Sequence, residues 1–219
     1  KIIIWIMLTI PVQYCTVISD PPALSSRSPH PALLTPSAML VLAVNGEVYT
    51  VARPDPATRL VDFLRAETGY TSTKVGCGEG GCGACAVLVQ ETAGEDNILI
   101  RTANACLTPL CSMHGKHVVT TEGLGGSTHP DGFHPVQMRV ADFNGTQCGF
   151  CTPGMVMSIY AALEAKGGKP NKRDMEQCLD GNLCRCTGYR PLLDAAKSFA
   201  TDTKTRDFVG VDDAKASVG

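Results

Sequence analysis

The sequence predicts an α+β fold, in which a small mixed domain is followed by an all-helical domain. Up to residue 122, short apolar runs are separated by turn signals, which is typical of a sheet with few helices. Beyond residue 135, apolar residues recur at helical spacing instead. The segment 123–134 is rich in Gly, His and Pro and is predicted to be a linker. Each half also contains one group of closely spaced cysteines.

The first domain, 39–122, is predicted to begin with a β-hairpin. Asn45-Gly46 supplies the positive φ angles of a type I′ turn between the strands Leu40–Val44 and Glu47–Ala52. Thr58 is predicted to cap the helix that follows, and Gly69 to end it. One face of this helix carries three apolar residues, Leu60, Phe63 and Leu64. Three further strands are predicted at Ala86–Val89, Ile98–Arg101 and Val118–Thr121.

The second domain, 135–200, is predicted to contain four short helices. The first carries Val136, Val140 and Phe143 on one face. Thr152 is the predicted N-cap of the second helix, with a proline at its first position. The last two helices are predicted to start after Asn171 and to span Pro191–Ala200.

Two terminal segments lie outside the predicted domains. Residues 1–38 are expected to be a disordered extension, because 19–37 is rich in Pro and Ser. Ile2–Val12 resembles the apolar core of a signal peptide and is too short to span a bilayer. The first residue is Lys1 rather than Met, so the sequence is interpreted as a fragment, a processed form or a gene model without its start. Residues 201–219 are predicted to begin a further linker.

The amino-acid composition limits which binding partners and which cellular compartment are expected. The formal net charge is −2 and aromatic residues make up 5%, which gives no reason to expect nucleic acid or a membrane surface as a partner. Eleven cysteines indicate either disulfides in an oxidising compartment or metal ligands in a reducing one. The odd number argues against a pure disulfide framework. The metal-ligand interpretation favours the cytoplasm.

The first cysteine group has the spacing C-x4-C-x2-C, and 20 residues separate it from a fourth cysteine. This is the plant-type ferredoxin pattern for a [2Fe–2S] cluster. Five glycines surround the first three cysteines, and their freedom lets backbone N–H groups approach sulfur. A zinc site or two disulfides are the alternatives, but zinc sites usually pair two short-spaced motifs. The four predicted ligands are Cys77, Cys82, Cys85 and Cys106.

The second group combines C-x-x-C and C-x-C, each just before a predicted helix. Helix N-termini favour thiolate over thiol. Two such helix starts facing each other would hold a second [2Fe–2S] cluster, although this spacing alone suits zinc almost as well. The four predicted ligands are Cys148, Cys151, Cys184 and Cys186. Three cysteines match no ligand position: Cys15, Cys111 and Cys178.

Four motifs in order resemble the iron–sulfur region of molybdenum hydroxylases, the family of xanthine dehydrogenases and aldehyde oxidases. They are GCGEGGCGACAVLV (76–89), NACLTPLC (104–111), TQCGFCTPGMVMS (146–158) and GNLCRCTGYRP (181–191). The resemblance covers about residues 39–205. It implies a ferredoxin-like β-grasp domain followed by an all-α four-helix [2Fe–2S]-binding domain, with the two cysteine quartets as cluster ligands. The stretch 132–155 is somewhat closer to plant-type aldehyde oxidases than to xanthine dehydrogenases.

The resemblance also implies a function and a set of partners. Gln147 would contact the molybdopterin, and Cys186 would link the helical cluster to it. Electrons would pass from molybdenum through the helical cluster and the ferredoxin-like cluster to FAD. The flavin and molybdenum domains would follow in the same full-length chain or form separate subunits, and the full enzyme would be dimeric. This chain alone is not expected to turn over substrate, because the molybdenum ligand sphere is absent from it.

Three other functions compete with an aldehyde oxidase-like iron–sulfur part. The iron–sulfur part of a xanthine dehydrogenase shares all four motifs. A stand-alone ferredoxin-type electron carrier should lack the helical domain and Gln147. A zinc-stabilised module would be colourless, whereas iron–sulfur clusters absorb visible light.

Overall fold

The computed structural model describes residues 39–93, 97–127, 129 and 132–204. The predicted extension 1–38 and most of the predicted segment 201–219 lie outside the described residues. The strands are β1 Met39–Val44, β2 Glu47–Ala52, β3 Ala86–Thr92, β4 Ile98–Asn104 and β5 His117–Val119. The helices are α1 Leu60–Ala66, α2 Thr121–Leu124, α3 Pro135–Asp142, α4 Thr152–Ala165, α5 Lys172–Gln177 and α6 Arg190–Lys197. A 3-10 helix spans Leu110–Met113.

The five strands form one mixed sheet in the order β2-β1-β5-β3-β4. Only the β1–β5 pair is parallel, and the other three pairs are antiparallel. The predicted hairpin is confirmed, with φ angles of 50° at Asn45 and 89° at Gly46. The apolar face of α1 is buried on this sheet, as its periodicity predicts, and contributes Leu60, Val61, Phe63 and Leu64 to the first core.

Two predicted helix caps are wrong by one residue. The N-cap of α1 is Arg59, which has an extended backbone and whose side chain pairs with Asp62 at 2.7 Å. The carbonyl of Thr58 accepts from Leu110 N–H, so this residue is tied to the 3-10 helix. The N-cap of α4 is Cys151, and Thr152 is already helical.

The helical domain follows the predicted order of four helices, α3 to α6. Asn171 caps α5 as predicted, in a reciprocal capping box with Asp174. A second core lies between these helices and contains Val136, Val140, Met155, Ile159, Met175 and Leu192, among others. Burial of the apolar side chains of these helices in this core holds the four helices together.

The predicted linker 123–134 is more structured than its composition indicates. α2 ends at Leu124, and His134 caps α3 by accepting a hydrogen bond from Val136 N–H. Gln137 donates to the carbonyls of Thr121 and Gly125. The Gln137 side chain of α3 thus holds the described part of this connecting segment in place.

The two halves share an interface that the sequence did not predict. α4 packs against β3 and β4. Between them lies a third, smaller core formed by Leu88, Val119, Met157 and Ala161. No helix in the described part of the chain combines the length and the hydropathy of a membrane span.

Candidate iron–sulfur sites

The first site is the glycine-rich loop between α1 and β3. Gly78, Gly80 and Gly83 have φ angles between 69° and 77°, a region that residues with a Cβ rarely adopt. This path turns the backbone N–H of Glu79 toward the sulfur of Cys77, at 3.4 Å. The predicted approach of backbone donors to sulfur is therefore present. At Gly76 a Cβ would lie 2.9 Å from the Cys82 sulfur, so the loop leaves no room for a side chain there.

The strand register brings the fourth cysteine of this group back to the loop. β3 and β4 pair so that Ala86 faces Asn104, and Ala105 N–H donates to the carbonyl of Cys85. Cys106 follows directly, and its side chain interacts with that of Cys85. A separation of 20 residues along the chain thus becomes a contact across one hairpin.

The four sulfur-bearing side chains of the first site form an outer and an inner pair. Cys77 is exposed and interacts with Cys82, which is half-buried. Cys85 and Cys106 are each 1% exposed. The backbone N–H of Glu79 and the Cys82 side chain lower the pKa of the Cys77 thiol to about 7. Burial raises the pKa of the Cys85 thiol to about 11.

The second site forms where the loop before α4 and the loop before α6 come together. The Cys148 and Cys186 sulfurs lie 3.5 Å apart on the exposed side. Cys151 and Cys184 interact with each other at greater depth, and Cys184 is 8% exposed. Each motif therefore contributes one outer and one inner cysteine.

Charge at the second site is set by local hydrogen bonds and burial. The backbone N–H of Phe150 and the Cys186 side chain lower the pKa of the Cys148 thiol. Burial raises the pKa of the Cys151 thiol to about 12. Burial also acts to raise the pKa of the Cys184 thiol, but hydrogen bonds with Thr187, the Cys186 N–H and the Cys151 side chain together outweigh it and bring this pKa to about 7. Two of these thiols are therefore shifted toward thiolate, but by hydrogen bonds, and Cys151, the N-cap residue of α4, is shifted the other way, against the prediction for a helix start.

The eight cysteines of the two quartets are free thiols, so the disulfide alternative is wrong for these two sites. Within the described ranges, no three or more His, Cys, Asp or Glu side chains are grouped as ligands of a single metal ion would be. Cys111 and Cys178 are half-buried and lie outside both quartets. Gln147, the predicted molybdopterin contact, is exposed and directly precedes Cys148.

A buried polar network that the sequence analysis missed joins the two sites. Asn182 is 5% exposed and donates to the carbonyl of Gly83 at 3.0 Å. The hydroxyl of Ser158 in α4 donates to the side-chain oxygen of Asn182, Oδ1, at 2.8 Å. Leu183 N–H donates to the carbonyl of Cys82 at 2.9 Å. The only available signal was a polar residue just before C-x-C, which is too common to be informative.

Replacement of Asn182 by alanine should lower the free energy of unfolding by about 2–3 kcal/mol, because it removes two buried hydrogen bonds. The Ser158 hydroxyl loses its acceptor, and the Gly83 carbonyl keeps only the hydrogen bond from Ala86 N–H. Asn171→Ala removes the same atoms at an exposed helix cap and should cost about 1 kcal/mol. Urea denaturation of the three proteins measures the difference. An equal loss in both variants would contradict this role of the buried network.

Two family models cover most of the described chain. One, described as a 2Fe-2S iron-sulfur cluster binding domain, matches residues 42–111. The other, described as a [2Fe-2S] binding domain, matches residues 120–197. These matches confirm the predicted order of a ferredoxin-like domain and a helical domain, each of a type that binds one cluster.

Two curated relatives are much longer than this chain. The xanthine dehydrogenase of Blastobotrys adeninivorans is 51% identical over 162 residues, which is 74% of this chain and 11% of the relative. The probable aldehyde oxidase 3 of Oryza sativa subsp. japonica is 48% identical over 200 residues, which is 82% of this chain and 14% of the relative. The chain therefore spans only a small part of the length of these oxidoreductases.

A solved structure of similar length supports the same assignment. A chain in the crystal structure of quinoline 2-oxidoreductase from Pseudomonas putida 86 superposes with a TM-score of 0.62 and is 30% identical. The match covers 74% of this chain and 91% of that chain. The two quartets of free cysteines, the two family models and these relatives agree, and the chain belongs to the iron–sulfur region of the molybdenum hydroxylase family.

Proposed function

We propose that this chain transfers single electrons between two [2Fe–2S] clusters as the iron–sulfur part of a molybdenum hydroxylase. The first cluster would be held by Cys77, Cys82, Cys85 and Cys106, and the second by Cys148, Cys151, Cys184 and Cys186. When bound, each cluster would take up and release one electron. The observation that carries the proposal is the division of each quartet into two pairs of neighbouring sulfurs.

The paired arrangement suits a two-iron core better than zinc. Each iron of a [2Fe–2S] cluster is held by two thiolates, whereas a structural zinc ion needs four ligands around one point. Cys148 and Cys186 form an outer pair at 3.5 Å, and Cys151 and Cys184 form an inner pair. The first site repeats this division. Both quartets therefore fit the group that the family binds.

The backbone connects the two sites over a short path. The amide of Leu183, next to Cys184, donates to the carbonyl of Cys82 at 2.9 Å. One hydrogen bond thus links a predicted ligand residue of the first site to the neighbour of a ligand residue in the second. Because the buried side chain of Asn182 holds the same two loops together, their separation is fixed. Such a rigid, short connection suits transfer of electrons between the sites.

We propose molybdopterin and FAD, bound by other domains or subunits, as the electron donor and acceptor. Gln147, Cys148 and Cys186 are all exposed at the second site, where molybdopterin would be bound. Cys77 is exposed at the first site, which would face FAD. Substrate oxidation would take place on the molybdenum domain, so this chain alone would not turn over substrate.

For the whole enzyme we propose an aldehyde as substrate, based on the plant-type motif in 132–155. Six of the curated relatives are plant aldehyde oxidases with 46–49% identity. A purine remains the alternative, because a xanthine dehydrogenase is 51% identical. The eight free thiols of the two quartets are consistent with a reducing compartment, and we propose the cytoplasm. The dimeric state of the full enzyme stays a prediction.

Metal analysis of the purified chain tests the cluster assignment. Anaerobically prepared protein should contain about four iron atoms and about four acid-labile sulfides per chain, because two [2Fe–2S] clusters hold that number. Its absorption spectrum should show the visible charge-transfer bands of ferric sulfur clusters. Colourless protein with stoichiometric zinc would contradict the proposal. About half of the expected iron would leave only one of the two sites supported.

A further inference from the structure

The loop that carries Cys184 and Cys186 continues into a turn with an unusual backbone. Gly188 and Tyr189 have φ angles of 67° and 68°, so two consecutive residues are left-handed and one of them carries a bulky side chain. Tyr189 is also the N-cap residue of α6, and its side chain does not cap that helix. A residue with a Cβ persists in this conformation only where its surroundings require it. The contacts of Tyr189 show what requires it.

The phenol and the backbone N–H of Tyr189 are both directed back at the cysteine loop. The phenol oxygen accepts a hydrogen bond from Cys184 N–H at 2.9 Å. The backbone N–H of Tyr189 donates to the hydroxyl oxygen of Thr187 at 3.2 Å. The left-handed turn therefore fixes the position of the Thr187 hydroxyl relative to Cys184.

The same hydroxyl lies 3.1 Å from the sulfur of Cys184. Its oxygen already accepts from Tyr189 N–H, so its own proton is available for the sulfur. A cysteine that binds iron is a thiolate and can only accept. With the ligand in that state, Thr187 must be the donor. Cys184 is buried and Thr187 is half-buried, so water competes little for this bond.

We propose that Thr187 is a positioning residue that sets the reduction potential of the second cluster by donating a hydrogen bond to the Cys184 ligand sulfur. The inference rests on the proposed function, because it takes Cys184 to be a cluster ligand. Hydrogen bonds to ligand sulfurs stabilise the additional negative charge of a reduced cluster and so raise its potential. Among the hydrogen bonds described for the first quartet, sulfur receives backbone N–H groups and no threonine hydroxyl. Thr187 therefore raises the potential of the second cluster relative to an otherwise identical site.

The test is a redox titration of the iron-loaded chain. Electron paramagnetic resonance monitors the titration, so that the potential of each cluster is measured separately. Thr187→Val should lower the potential of the second cluster, with about a tenfold change in its reduction equilibrium, or ~59 mV for one electron. Thr187→Ser keeps the hydroxyl and should restore most of the original value. Thr201→Val serves as the matched control, because it removes a threonine hydroxyl bonded to the Pro170 carbonyl and not to a cysteine.

The outcomes separate this inference from the proposed function. If the unmodified chain shows no second signal, the proposed function fails. If the second signal is present but its potential is the same in Thr187→Val, the hydrogen-bond inference is overturned. An equal shift of both clusters would also overturn it, since the effect would then be general. If Thr187→Val does not load iron, resonance Raman spectra of the unmodified chain after brief transfer to D2O decide. The backbone N–H groups of Thr187 and Cys186 also face this sulfur, but a hydroxyl proton exchanges faster than a hydrogen-bonded amide. An early shift of an Fe–S(Cys) stretching band is therefore expected, and an unchanged spectrum would refute the bond.

Discussion

Cys184→Ser should abolish the electron paramagnetic resonance signal of one reduced cluster and leave the other signal unchanged. Cys184 is a buried, inner member of the second quartet, so its loss should disable that site. A serine hydroxyl is a much poorer iron ligand than a thiolate because it is not ionised near neutral pH. Cys148→Ser, at the exposed edge of the same quartet, should affect the same signal.

Cys178→Ser is the matched control for these two variants. Cys178 belongs to the same domain, is half-buried and donates to the Met175 carbonyl at 3.1 Å, outside both quartets. Both signals should persist in this variant. Loss of both signals in Cys184→Ser, with the circular dichroism of a folded protein, would contradict two independent sites.

Features encoded by adjacent residues were predictable from the sequence. Asn45-Gly46 specifies its turn type directly, and the structure has the hairpin at the predicted residues. The capping box at Asn171 is equally local. The predictions of Thr58 and Thr152 as N-caps were wrong by one position, because a threonine beside the true N-cap gives the same sequence signal. Propensity indicates that a helix begins nearby, whereas tertiary contacts decide at which residue.

The relation between the two sites could not be derived in this way. The cysteine spacings predicted two groups, but which sulfurs are buried depends on the sheet register and on how the loops before α4 and α6 come together. Asn182 and Gly83 are 99 positions apart, and a single hydrogen bond between them leaves no periodic pattern. The third core, with Leu88 against Met157, is equally non-local. Contacts between separately predictable units therefore had to come from the structure.

Gly83→Ala should be the most disruptive substitution of a glycine in the first loop. Gly83 has a φ angle of 69°, and a Cβ there would overlap the carbonyl oxygen of Gly181 and lie 2.9 Å from the Asn182 Cα. The left-handed backbone costs alanine about 1–2 kcal/mol. Forcing backbone atoms apart adds about 1–3 kcal/mol. We therefore expect the free energy of unfolding to fall by about 2–5 kcal/mol.

Two neighbouring glycines separate these contributions. Gly78→Ala carries only the backbone strain, because its φ angle is 72° and nothing lies within 4 Å of the added Cβ. It should cost about 1–2 kcal/mol. Gly81→Ala introduces neither a left-handed alanine nor a close contact of the added Cβ. It should therefore be neutral or raise the free energy of unfolding by up to about 1 kcal/mol. Denaturant unfolding of the three variants should rank them in this order. Equal losses for Gly83→Ala and Gly78→Ala would mean that the close approach of the two cysteine loops contributes nothing. Since Gly83 lies where these loops touch, its variant should also weaken the electronic coupling between the clusters, whereas Gly78→Ala should leave that coupling intact.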